Sequence, residues 1–144
     1  MVGFKVLSTI NEVELKKYPI SSQTVLVGDL LEQLVGAVNW TVCTSSSNFF
    51  SRKVIAYEAA TSSGTEFLGY EVKGDEDVEG QSGATASADH NGDRMLLTDK
   101  NTVNNTGTDN TSQNVCFIQD RAGSTTTSII GKVLVGNGVD PDAT

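Results

Sequence analysis

The chain has 144 residues, a length that fits one domain with its own core, and its 10 Lys and Arg against 18 Asp and Glu give a net charge of −8. This acidic balance argues against a nucleic-acid partner, because neutralising phosphates requires clustered Lys and Arg. No apolar run approaches the roughly 20 residues that cross a bilayer, and no basic-then-apolar leader is present, so we expect no membrane partner and no export.

The chain begins with apolar side chains that have no neighbour in the sequence to pair with. Residues 1–11 therefore fit either an arm that becomes ordered against a partner or the first strand of the domain's own sheet. We divide the chain into an N-terminal arm (1–11), a β domain (12–136) and a flexible polar tail (137–144).

Most of the β domain consists of short runs in which apolar and polar residues alternate, the pattern of half-buried strands. The first run is EVELKKY (12–18), which Pro19 ends because proline cannot donate to a strand ladder. Within residues 23–38, Asp29 and Glu32 are spaced to cap a short helix, but the valines and glycines favour two strands. Further strands are predicted at NWTVCT, RKVIAYEA, EFLGYEV, DRMLLTD, VCFIQD and SIIGKVLVG. Short strands separated by turn residues predict an all-β fold, a small β-barrel or sandwich with an extended N-terminal arm.

Two strongly polar stretches are interpreted as surface connections. EVKGDEDVEG (71–80) concentrates the acidic residues and is typical of a solvated turn. TVNNTGTDNTSQNV (102–115) contains a single charge, Asp109, and is predicted to be a broad polar loop that needs neither a metal nor a ligand.

The sequence contains no convincing catalytic or metal-binding pattern. Its single histidine lies in DHNGD (89–93), where Asp89, Asn91 and Asp93 have the one-three-five spacing of a calcium loop. The pattern then fails, because glycine stands at position four and Arg94 at position six, and we predict a tight turn instead. Neither a phosphate-binding glycine loop nor a Gly-x-Ser-x-Gly elbow occurs. We therefore expect no enzymatic activity, no metal and no cofactor.

Three further side chains are predicted to be buried. Trp40 lies in an alternating run, and its strand position makes it a core residue. Cys43 and Cys116 are too few and too far apart to form a disulfide framework, and we predict buried thiols that act as small hydrophobes. A disulfide between the two stays open.

Several phrases of the sequence resemble the head-decoration (cement) proteins of tailed bacteriophages. These phrases are FKVLSTINEVELKKYPIS, VLVGDLLE, VIAYEAATSSGTEFLGYEVKGD, GDRMLLTDKNTVNNTGTDN and the closing IIGKVLVG. The likeness spans nearly the whole chain. The chain departs from the smallest decoration proteins in its longer polar loops at 80–93 and 101–114.

The resemblance implies a small β-tulip-like or barrel-like domain that forms a homotrimer on the capsid exterior, at three-fold and quasi-three-fold positions. Its partner would be the major capsid protein, and it would reach the virion by assembly in the host cytoplasm. In such proteins the N-terminal arm typically adds to a strand of the capsid subunits. By position and apolar character, the capsid-binding residues of the arm would be Val2, Phe4, Val6, Leu7, Ile10 and Val13.

Two other classes stay open from the sequence alone. A tail-tube or fibre subunit is another virion part that needs no active site. A carbohydrate-binding β-sandwich needs aromatic rings as a platform for sugars, and aromatic residues make up only 6% of this chain, with Trp40 the only tryptophan.

Overall fold

The computed structural model describes residues 3–136, which form eleven β-strands and two short 3₁₀ turns, with no α-helix among these residues. The all-β prediction is confirmed. The 3₁₀ turns are Glu12–Glu14 and Ala88–His90. The strands are β1 (Phe4–Val6), β2 (Leu15–Pro19), β3 (Leu30–Gln33), β4 (Thr41–Val42), β5 (Arg52–Ala56), β6 (Glu66–Glu71), β7 (Val78–Ser82), β8 (Arg94–Asp99), β9 (Thr102–Asn104), β10 (Phe117–Ala122) and β11 (Ser128–Val133).

Five strands close into a small barrel in the order β7–β11–β10–β8–β9. All neighbours are antiparallel except β7 and β9, whose parallel pairing closes the ring. That pairing uses only Gln81 and Ser82 at the end of β7. The first part of the same edge, Val78 to Gly80, pairs with β1. The N-terminal strand thus occupies the part of the β7 edge that β9 leaves unpaired.

The remaining strands form a second antiparallel sheet in the order β2–β6–β5–β3–β4, and both of its faces are covered. Alternation along β5 places Ile55 on the face that packs against the barrel and Val54 on the opposite face. Residues on the barrel side join one large core, which includes Phe4, Leu30, Ile55, Tyr70, Phe117 and Ile129. Residues on the other side form a second cluster, which includes Tyr18, Leu31, Trp40, Val54 and Phe67.

Several predicted strand boundaries were wrong. The run predicted as a strand from residue 12 forms a 3₁₀ turn first and becomes β2 only at Leu15, so Val13 is 84% exposed. Residues 23–38 form one strand, β3, instead of two, together with an isolated bridge between Val25 and Ala60. Strands β7 and β9 were not predicted, because their sequences lie in the stretches interpreted as a solvated turn and a polar loop.

The expectation of an arm separate from the domain does not hold for its central part. Phe4 and Val6 lie in β1, pair with β7 and are only 3% and 5% exposed. The alternative that the sequence left open, a first strand of the domain's own sheet, describes residues 4–6 correctly. The physical reason is that β1 covers barrel core that would otherwise meet water. The predicted tail at 137–144 lies outside the described residues.

Gly131 of β11 gives the sharpest test of the barrel packing. A β-carbon at this position would overlap the carbonyl oxygen of Ile118 and crowd the ring of Phe117. We expect Gly131→Ala to lower the free energy of unfolding by about 3 kcal/mol, because the overlap involves backbone that cannot rotate away. Urea titration followed by Trp40 fluorescence measures the change.

The matched control is Gly83→Ala, since Gly83 is exposed and an added β-carbon there meets only ordinary contacts at 3.8 Å or more. Its free energy of unfolding should stay within about 0.5 kcal/mol of the parent. Equal stability of the two variants would contradict the barrel register.

Candidate interaction surface

The structure divides five of the six predicted arm residues into two groups. Phe4 and Val6 are core residues of the barrel, and Ile10 is partly buried against the same core. Leu7 and Val13 are 40% and 84% exposed. Val2 lies outside the described residues. Among the described residues of the N-terminal segment, the first exposed apolar side chain is therefore Leu7, immediately after the strand that holds the segment to the body.

A second apolar segment, missed in the sequence, lies beside β1. The amide of Phe4 donates to the carbonyl oxygen of Gly28 at 2.8 Å, which brings residues 25–28 against the N-terminal strand. Leu26 and Val27 in this segment are 47% and 58% exposed. A groove of about 280 Å³ lies between the two segments and is lined by Phe4, Lys5, Val6, Val27, Gly28, Ala56 and Tyr57. We call Leu7, Leu26, Val27 and this groove the N-terminal apolar face.

The connection between β3 and β4 forms a third exposed apolar feature. Its residues Leu34, Val35 and Val38 are 52%, 77% and 76% exposed. We call residues 34–38 the apolar tip. The sequence signal for it was present, because residues 33–51 form the longest run in the chain without a charged side chain. The valines and the turn-like spacing of Gly28 and Gly36 predict two strands here, whereas the structure has one strand, β3, followed by an exposed turn at Gly36.

The long loop between β4 and β5 is fixed by a buried lysine. Lys53 is fully buried on the barrel side of β5 and donates to the carbonyl oxygens of Asn48 at 2.5 Å and Leu134 at 2.9 Å. It also donates to the hydroxyl of Ser51 at 3.1 Å. Beside it, the hydroxyl of Ser47 donates to the buried carboxylate of Glu32. These contacts join three separate parts of the chain, as a structural lysine does when its donors are satisfied.

Cys43 and Cys116 are buried free thiols, as predicted. The thiol of Cys116 donates to the carbonyl oxygen of Ser47 at 3.3 Å, so it lies beside the same buried polar cluster. Burial raises the pKa of Cys43 well above its ordinary value and raises the pKa of Cys116 to about 11. Both are therefore overwhelmingly protonated at neutral pH, which makes them poor nucleophiles.

One carboxylate in the predicted solvated turn is in fact buried. Glu79 of β7 is 5% exposed and accepts from the amide and hydroxyl of Ser124 and from the hydroxyl of Ser128, at 2.6 to 2.7 Å. Burial by itself raises the pKa of Glu79, but these hydrogen bonds outweigh burial and hold the pKa below its ordinary value. The carboxylate fixes the turn between β10 and β11 to β7.

The polar stretch 102–115 begins as a strand and continues as a loop that is tied down by its only charge. Asp109 accepts from the backbone amide of Arg94 at 2.7 Å and from the guanidinium of Arg94 at 2.7 and 3.1 Å. These hydrogen bonds lower the pKa of Asp109 to about 2. The loop thus has a clear structural anchor on β8.

The DHNGD segment forms the turn that was predicted. Its residues make a 3₁₀ turn, and the side-chain oxygen of Asn91 accepts from Gln119 at 2.9 Å. His90 and Asp93 contact each other at 3.0 Å. Among residues 3–136, no three His, Cys, Asp or Glu side chains are grouped in a way that could hold a metal ion.

Comparison with known proteins adds no relative. No protein-family model, no curated protein and no solved structure matches the chain. In the part of the chain that the structure describes, no helix is long and apolar enough to cross a membrane. The function is therefore inferred from the surface chemistry of the described residues and from the resemblance in the sequence.

Acid should release the loop that Asp109 anchors. The pKa of Asp109 is lowered from 3.8 to about 2, so its stabilising contribution is complete above pH 3.8 and disappears as the pH falls through about 2. Asp109→Asn should produce the same release at neutral pH. Protection from hydrogen exchange at residues 105–114, measured by mass spectrometry relative to the unfolded chain at the same pH, should fall in both cases. The control is Asp89→Asn, which removes one carboxylate outside this loop and should leave the protection of residues 105–114 unchanged. If Asp109→Asn also leaves the protection of residues 105–114 unchanged, Asp109 does not anchor the loop.

Proposed function

We propose that this chain is a structural virion protein that decorates a phage capsid and stabilises its outer surface. Its partner is the major capsid protein, and it acts as a homotrimer at three-fold and quasi-three-fold sites. The observation that carries the proposal is the N-terminal segment, where β1 is fixed in the barrel and the residues that follow it present Leu7 and Val13 to solvent. The resemblance of the sequence to decoration proteins supports the same conclusion.

The N-terminal apolar face is suited to adhesion. Leu7, Leu26 and Val27 each leave roughly half of their surface exposed, and Val27 lines an apolar groove of about 280 Å³ together with Phe4 and Val6. Exposed apolar surface of this kind is typical of a site that another protein covers. A decoration protein requires such contacts and a rigid body, and it requires no chemical step.

Weak contacts suffice when several act together. Once one arm of a trimer is bound, the other two are held near their sites at a high effective concentration, so the combined affinity greatly exceeds that of one arm. A ligand that binds only the closed shell also opposes opening of the shell by linkage. The net charge of −8 keeps copies dispersed until they are bound and disfavours binding to nucleic acid.

The carbohydrate-binding alternative receives no support from its best candidate residue. Trp40 is 2% exposed, and its ring packs edge-on against Tyr18 with centroids 5.1 Å apart. The guanidinium of Arg52 lies over the ring at 5.4 Å from its centroid. No face of this ring is open to a sugar. A tail-tube or fibre subunit differs in symmetry from a trimer, and locating the chain in a reconstruction of the particle separates these classes.

Val13 provides the test of capsid binding. Val13→Asp places a carboxylate where an apolar contact with the capsid is proposed. We expect the affinity for empty expanded heads to fall about tenfold for each N-terminal segment of the trimer that contacts the capsid. Co-sedimentation of purified protein with heads of the phage that encodes the chain measures the loss. Thr111→Asp adds the same charge to the exposed polar loop and should bind as the parent does.

If Val13→Asp binds heads as tightly as Thr111→Asp, the N-terminal segment is not the contact. If the parent protein itself binds no heads, the decoration function is wrong.

A further inference from the structure

We propose that the apolar tip, residues 34–38, is the contact through which copies of this chain associate with one another. This inference rests on the proposed function, because it assigns the self-association of the decoration protein to a surface distinct from the one that binds the capsid. Its starting point is the exposure of Leu34, Val35 and Val38, each more than half exposed at the end of the β3–β4 hairpin.

The tip has a defined shape before any partner arrives. The amide of Ala37 donates to the carbonyl oxygen of Leu34 at 3.0 Å, and Gly36 adopts the positive φ of +80° that closes this turn. The side-chain amide of Gln33 donates to the carbonyl oxygen of Val38 at 3.2 Å. An apolar surface that is already ordered loses little conformational entropy on binding.

The base of the tip is fixed to the body. The amide of Trp40 donates to the carbonyl oxygen of Pro19 at 2.8 Å, which holds the chain after the tip against β2. The side chain of Gln23 donates to the carbonyl oxygen of Trp40 at 2.9 Å and accepts from the amide of Val42 at 2.8 Å. Since Trp40 belongs to the second apolar cluster, the tip is a rigid projection of that cluster.

The distribution of charged side chains favours a second copy of this chain as the partner that binds the tip. Two copies carry −8 each and repel one another at most approaches. Residues 33–51 contain no charged side chain, and this run includes the exposed Leu34, Val35 and Val38 of the tip. The charges that border this run are neutralised or buried, because Arg52 forms a two-point ion pair with Glu71 at 2.6 and 2.7 Å and Glu32 is 5% exposed. Like-charged copies can therefore meet at the tip without bringing unpaired carboxylates together.

The N-terminal apolar face lacks this property. Lys5 is exposed at its groove, and Glu12 is exposed in the segment that follows Leu7. If identical copies met at this face with the symmetry axis close to Lys5 or Glu12, each charge would lie near the same charge of the neighbouring copy and would be repelled by it. A capsid subunit with a different charge pattern can pair with them instead. The two apolar surfaces thus suit two different partners.

The tip is small, so we expect association of the free protein to depend on concentration and to be reinforced when copies are bound side by side on a shell. The test is sedimentation velocity of the full chain, with native mass spectrometry, over concentrations from roughly 1 to 100 µM. We expect the parent to shift from monomer to trimer within this range. Val35→Asp should raise the concentration needed for association by at least about tenfold.

Two matched variants make the result specific. Val13→Asp changes a valine of similar exposure in the N-terminal segment, at 84% against 77%, and should associate as the parent does. Thr111→Asp controls for one added charge. Unchanged Trp40 fluorescence and urea midpoint for Val35→Asp show that the body is intact, and Val38→Asp serves if Val35→Asp fails to fold.

Each outcome decides the matter. A parent that stays monomeric throughout, or a Val35→Asp variant that associates like the parent, overturns the assignment. Loss of head binding by Val35→Asp with unchanged association also overturns it and assigns the tip to the capsid. Because sedimentation velocity uses no heads, self-association can be found while the parent protein binds no heads, so the failure of one proposal can be distinguished from the failure of the other.

Discussion

The shared edge of β7 is the constraint on which the rest of this structure depends. Gln81 and Ser82 pair with β9 and close the barrel, while Val78 to Gly80 pair with the N-terminal strand. Because a strand edge can be used only once at each position, β1 and β9 must both end where they do. The body therefore includes residues 4–6, and among the described residues of the N-terminal segment the exposed apolar side chains are Leu7 and Val13.

Buried polar side chains hold the connections between strands in place. Lys53 joins the β4–β5 loop to the end of β11, and Glu79 joins the β10–β11 turn to β7. Each is fully or nearly fully buried and has hydrogen-bonding partners far away in the sequence. Such satisfied contacts make the body rigid, and a rigid body lets small apolar surfaces bind without a large loss of entropy. The contacts that we propose for the apolar tip and the N-terminal apolar face require a rigid body of this kind.

Features that depend on local sequence patterns were predicted correctly, whereas features that depend on pairing between distant segments were missed. The all-β class, buried Trp40 and the turn at 89–93 follow from alternation and turn residues, and they are confirmed. Strands β7 and β9 are polar and short, and only their partners make them strands. The burial of Glu79 needs Ser124, 45 residues away. The exposure of the tip could have been suspected from the charge-free run.

The same constraint allows a direct test by hydrogen exchange of the free and the head-bound protein. In the free protein, the amide of Leu7 donates to the carbonyl oxygen of Asp77 at 3.0 Å and that of Phe4 donates to the carbonyl oxygen of Gly28 at 2.8 Å. These amides should exchange slowly in both states, whereas amides in residues 8–13 should slow only when heads are bound. Rapid exchange at Phe4 and Leu7 in the free protein, with protection gained on heads, would contradict the account and restore a free arm.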